Sequence, residues 1–153
     1  MLATSRTSPP GQLVFTADGR DLLVTSMATD LVPGVTQPTN AQRSYAIRTD
    51  TSAVTQIYTG DGDGDSTRAA SRLPTPFPGA PNRVLVITMT SQGQQLVSAP
   101  MPGVAAEPAT IAASNWSGIF QHPAVTPNGR TAYVVYNDRS APNALHLAAI
   151  TLK

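Results

Sequence analysis

Residues Phe15 to Val24 read F-T-A-D-G-R-D-L-L-V, and residues Val125 to Val134, 110 positions further on, read V-T-P-N-G-R-T-A-Y-V. Each begins with an apolar residue and a threonine, passes through Asp-Gly or Asn-Gly, and runs through an arginine into strand-favouring residues. Asp18-Gly19 and Asn128-Gly129 suit a tight hairpin turn, because glycine enters the left-handed region without steric cost. A hairpin phrase that returns at long period says the chain is built from copies of one unit. That governs the architecture and leaves the substrate or partner open.

Outward from the two phrases, the chain divides into three units, at about residues 10–60, 74–113 and 119–153, within one domain of 153 residues. In the first, residues 12–15 and 22–26 flank the turn, and Ser44–Arg48 and Ala53–Tyr58 add two more strands. In the second, Asp61–Pro81 is proline-rich and reads as loop with room for one short strand. Arg83–Thr88 (R-V-L-V-I-T) is the strongest strand signal, an unbroken apolar run suited to burial on both faces. Gln95–Ala99 and Ala109–Ala113 follow as weaker strands. The third unit starts near Phe120 with a strand to Val125, then Thr131–Tyr136. A loop through Pro142 leads to Ala144–Leu152, where the chain stops before a fourth strand.

Composition agrees. Charged residues make up 12% of the chain, against roughly 25% in an ordinary soluble domain. Lys153 is the only lysine and Glu107 the only glutamate, so two good surface helix formers are almost missing. Fourteen prolines and eleven glycines punctuate short strands. A net charge of +1 without a basic run disfavours nucleic acid and anionic membranes as partners. The absence of cysteine excludes disulfides and thiolate metal sites. No apolar stretch approaches the ~20 residues of a membrane span, and the N-terminus lacks the apolar core of a signal peptide. The expected compartment is extracytoplasmic if an export signal lies upstream, and cytoplasmic otherwise.

The phrases T-A-D-G-R-D-L-L-V and P-A-V-T-P-N-G-R-T-A-Y-V-V-Y resemble the repeats of bacterial WD40-like β-propellers of the TolB and YncE type. The segment R-T-D-T-S-A-V-T-Q-I-Y (Arg48–Tyr58) is similar to the outer hairpin of such a blade. The resemblance implies four-stranded antiparallel blades in an incomplete propeller, since closed propellers hold about four to eight. A self-contained β-sandwich or barrel is the alternative. The repeated Gly and Arg serve a turn and say little about function.

Chemistry-bearing groups are sparse. Asp61, Asp63 and Asp65 alternate as calcium-loop ligands do. However, Ser66 stands where the turning glycine belongs, Ala69 where some propeller loops end on Asp, and Arg72 where a bidentate glutamate would close the loop. A solvated acidic turn is the preferred reading, with calcium the alternative. His122 beside Pro123 reads as the opening of a strand, and His146 as a packing or surface residue, so no catalytic or cofactor-binding residue is assigned. Tyr136-Asn137-Asp138-Arg139 is faintly similar to segments of sialidase-like propellers, which gather several arginines; Arg20, Arg130 and Arg139 are present, but Glu107 lies in a Pro/Ala loop. A turn capped by Asp138 is the simpler reading. Trp116 stands in a loop-like S-N-W-S-G, suited to packing on a blade face, and Asn115-Trp116-Ser117 matches a glycosylation acceptor. The expected function is a non-enzymatic scaffold presenting loops to a protein, peptide or glycan, completed by further blades or self-association. The alternative is a fragment of a propeller hydrolase, glycosidase-like or peptidase-associated, with catalytic residues outside this chain.

Overall fold

The computed structural model describes residues 13–27, 42–57, 71–90, 93–114, 116–119, 122–138 and 140–152. Among them the chain forms strands and no helix: β1 (Val14–Phe15), β2 (Asp21–Met27), β3 (Gln42–Arg48), β4 (Val54–Gln56), β5 (Ser71–Pro76), β6 (Arg83–Thr90), β7 (Gly93–Pro100), β8 (Ala109–Ser114), β9 (Trp116–Ile119), β10 (Ala124–Val125), β11 (Thr131–Asp138) and β12 (Ala141–Thr151). Hydrogen bonds join them into three antiparallel sheets, β1-β2-β3-β4, β5-β6-β7-β8, and a third built on β11. There β12 takes one edge of β11, while β9 and β10 lie end to end along the other, opposite Tyr136–Asp138 and Ala132–Tyr133. The three sheets share no strand and close no barrel among the described residues. The fold is all-β, a run of propeller blades rather than a self-contained barrel or sandwich.

The middle sheet shows why the sheets stack. Side chains of a strand alternate between its faces, so Val84 and Val86 of β6 turn to the first sheet, packing with Leu23, Ala46 and Ile57. Leu85 and Ile87 turn to the third, packing with Trp116, Ala132, Val134 and Leu152. The apolar run of β6 is therefore buried on both faces, each large side chain contributing about 1.5–3 kcal/mol by leaving water.

Several boundaries differ from the sequence reading. The proline-rich stretch before Arg83 contains the six-residue strand β5. Its prolines fit because β5 ends its sheet, bonding β6 on one side, and its register shifts between Arg72 and Thr75. Trp116 opens strand β9 instead of lying in a loop; its ring is buried and its centroid sits 5.4 Å from that of Tyr136. Strand β11 extends to Asp138 and β12 begins at Ala141, so the expected loop through Pro142 shrinks to the turn between them. Asp138 both ends the strand and caps that turn, its Oδ1 accepting the Ser140 N–H at 2.7 Å. Past β12 the third sheet has no further strand among the described residues.

Candidate functional site

The twin phrases build twin turns. In the first, the Thr16 hydroxyl donates to Asp18 Oδ1 at 2.7 Å, the same oxygen accepts the Arg20 N–H at 3.1 Å, and the Asp21 N–H donates to Thr16 Oγ1 at 3.1 Å. In the third sheet Thr126, Asn128, Arg130 and Thr131 repeat these bonds at 2.7, 3.0 and 3.1 Å. Gly19 and Gly129 take φ of 69° and 68°, the left-handed conformation such a turn requires. The repeated arginine supplies its carbonyl, which accepts the N–H of Thr49 in the first sheet (2.9 Å) and of Leu152 in the third (2.8 Å). The Thr16 hydroxyl, and then the Arg20 N–H, hold the Asp18 carboxyl below its ordinary range.

Beside the turns, neighbouring sheets part into clefts. Between the second and third sheets a cleft of about 470 Å³ is lined by Phe77, Arg83, Ser98, Glu107, Thr110 and Thr151, among others. Arg83, the first residue of β6, donates from Nε to Ser98 Oγ at 2.6 Å and from Nη2 to the carbonyls of Ser98 (2.7 Å) and Glu107 (2.9 Å). Two of its five N–H groups thus tie the strand to Ser98 of β7 and a third ties it to the loop before β8, and the Nη1 pair has no partner among the described residues. One sheet earlier, a cleft of about 340 Å³ has Asp21, Arg48, Thr55 and Met101 in its wall. There Arg48 pairs with Asp50 at 3.1 Å and Asp21 at 3.8 Å, and the Arg48 hydrogen bond holds the Asp50 carboxyl low. Arg83 was missed in sequence; the signal was an arginine opening an otherwise apolar strand.

The remaining candidates are dispersed. His122, between β9 and β10, has Nδ1 3.1 Å from the Pro74 carbonyl and 3.4 Å from Thr75 Oγ1, linking that segment to β5 of the second sheet. His146 stacks on Tyr136 at 5.4 Å, which in turn packs against Trp116. Arg20 and Arg130 stand in the turns of different sheets. Asp61, Asp63, Asp65, Asn115 and Arg139 lie outside the described residues. No group of three or more metal-binding side chains occurs among the described residues, and they contain no helix long and apolar enough to cross a membrane.

Stacked four-stranded antiparallel sheets with clefts between them define part of a β-propeller, and solved structures agree. Over 97% of its length the chain superposes on a TolB structure from Agrobacterium tumefaciens, with a TM-score of 0.70 and 13% identity, spanning 47% of that chain. Over 93% it superposes on TolB from Acinetobacter baumannii, with a TM-score of 0.55 and 8% identity, spanning 32% of that chain. TolB is a WD40-like β-propeller, and this chain has the fold of a portion of one. The chain therefore spans less than half the length of either structure. No protein-family model and no curated protein sequence matches it.

Proposed function

We propose that the chain is part of a non-enzymatic propeller module that holds a protein or peptide partner, using the cleft between its second and third sheets. The supporting observation is Arg83. Its guanidinium is held rigid by three hydrogen bonds in the wall of a roughly 470 Å³ cleft, with its Nη1 donors free among the described residues. The two remaining Nη1 donors suit one carboxylate oxygen or a pair of backbone carbonyls, each through a single charge-assisted hydrogen bond, and the size and mixed lining are those of a side-chain or short-peptide site. Panning a displayed peptide library on the immobilised chain tests this. Peptides rich in Asp or Glu should enrich, and Thr110→Trp, which fills the cleft from an exposed position, should abolish their binding. Enrichment that Thr110→Trp leaves unchanged would remove the cleft from the reading. Turnover of glycoside or peptide substrates would favour the hydrolase alternative, and selective hits on a glycan array a sugar partner.

For Asp61, Asp63 and Asp65 the reading remains a solvated acidic turn. A bound ion stabilises a fold as its concentration rises above the dissociation constant. Calcium that raised Tm by several degrees, an effect abolished by Asp63→Ala, would overturn that reading.

A further inference from the structure

In the Arg83 cleft the group with unused bonding capacity is a cation; in the cleft one sheet earlier it is a carboxylate. There Arg48 turns two donors to Asp50, Nε to Oδ1 at 3.3 Å and Nη2 to Oδ2 at 3.1 Å. That pairing offsets the charge of the guanidinium and leaves Asp21 over. The nearest approach of Arg48 Nε to Asp21 Oδ1 is 3.8 Å, beyond hydrogen-bond reach, and the Asp21 carboxylate accepts no hydrogen bond among the described residues. Its side chain is only 14% exposed, and it lines the cleft of about 340 Å³ together with Arg48, Thr55 and Met101. A carboxylate so far withdrawn from water is costly without donors. The cleft has room for a side chain that brings them.

The two clefts share a wall. Met101, Pro102 and Gly103, which follow β7, line the first, and the exposed Glu107 with Ala109, at the start of β8, lines the second. The loop between them is pinned at both ends by neighbours in sequence. The Met101 N–H donates to the Asn82 carbonyl at 2.9 Å, and the Glu107 carbonyl accepts from Arg83 Nη2 at 2.9 Å. Within the loop, the Val104 N–H donates to the Met101 carbonyl and the Ala106 N–H to the Val104 carbonyl, both at 3.0 Å. From Gly103 to Glu107 the chain covers at most about 14 Å, a distance that an extended peptide crosses in about four residues. One short peptide can therefore reach both clefts, and the pinned loop fixes the spacing between them.

We propose that the Asp21 cleft is a second subsite of the same peptide partner, taking a Lys or Arg side chain while the Arg83 cleft takes an acidic one. The cation donates to the carboxylate that Arg48 leaves unbonded. The partner is thereby defined as a peptide with an acid and a base at a constant separation, rather than a merely acidic one. This rests on the reading of the Arg83 cleft as a peptide site. It needs no sheet beyond those described, because residues of this chain wall both clefts on either side.

Panning the displayed peptide library on the wild-type chain, and on Asp21→Asn, Thr55→Trp and Thr110→Trp chains, tests it. Wild-type selections should carry Lys or Arg at a constant spacing from Asp or Glu. A synthetic peptide from that selection should bind the Asp21→Asn chain at least about tenfold more weakly, the scale of one charge-assisted hydrogen bond. Exchanging its Lys or Arg for methionine should cost the same factor on the wild-type chain and nothing further on Asp21→Asn. Thr55→Trp, which fills the cleft from an exposed position, replaces Asp21→Asn should that variant lose the strand circular dichroism spectrum. Acidic peptides that enrich without a base at constant spacing overturn the second subsite and leave the Arg83 reading standing. So does a methionine exchange that costs as much on Asp21→Asn as on the wild-type chain. Basic peptides that Thr55→Trp abolishes and Thr110→Trp spares would keep the Asp21 subsite and overturn the Arg83 one. No enrichment of either kind overturns both.

Discussion

The turns at Asp18-Gly19 and Asn128-Gly129 share sequence pattern, hydrogen bonds and backbone angles, yet they stand in different surroundings. A Cβ on Gly19 would enter open space, whereas Gly129 is pressed against the backbone of Gly79. Glycine is thus required at position 19 by conformation alone. At position 129 it is required twice, by conformation and by the approach of another sheet. One local motif carries two different loads, and the difference comes from its place in the stack.

Alanine at each position should separate the two. Gly129→Ala adds the left-handed penalty to a backbone clash and should cost about 3 kcal/mol or more. Gly19→Ala should cost about 1 kcal/mol, with both losses measured by urea denaturation. Equal losses would break the comparison. Asparagine sharpens it, since it tolerates the left-handed region but still carries a Cβ: Gly19→Asn should lose little, and Gly129→Asn about 2 kcal/mol or more.

The next effect should be equal in the two turns. Thr16→Val and Thr126→Val each remove a hydroxyl that donates to the turn side chain and accepts a backbone N–H. Each should cost about 1 kcal/mol in the same denaturation assay. A loss confined to one turn would show that the shared hydrogen bonds do not do the same work.

The smallest effect separates Asp18 from Asn128 by pH. The folded-state value of Asp18 is lowered by the Thr16 hydroxyl and the Arg20 N–H. Its contribution is therefore present above the ordinary aspartate value of about 3.9 and lost as pH falls through the lowered folded value. Asn128 has no such proton to take up. Asp18→Asn should flatten the acid limb of a Tm-versus-pH profile slightly, and Asn128→Asp should steepen it. Asp50, held low by Arg48, and Asp138, held low chiefly by the Ser140 hydroxyl, contribute to the same limb.

Legibility varied along the chain for physical reasons. The hairpins and β6 were readable because turn chemistry and an unbroken apolar run act over a few neighbouring residues. Strand β5 was not, since Pro74 and Pro76 look like strand breakers until it is known that they lie on a strand bonded along one side. Trp116 among Ser, Asn and Gly looked like loop; its burial against Tyr136 is a contact between β9 and β11 that no local pattern announces. Arg83 was visible as a residue, but the cleft it lines belongs jointly to the second and third sheets.

From sequence alone came the repeated unit, the left-handed glycines the turns demand and the all-β character, because each rests on interactions within a hairpin or on composition. Only the tertiary structure decided which face of each sheet is sealed, where the sheets part around Arg83, and that a Cβ at Gly129 would strike Gly79 while one at Gly19 would enter open space. Those features arise between sheets, from residues about 50 positions apart, and the same local phrase is compatible with either surrounding.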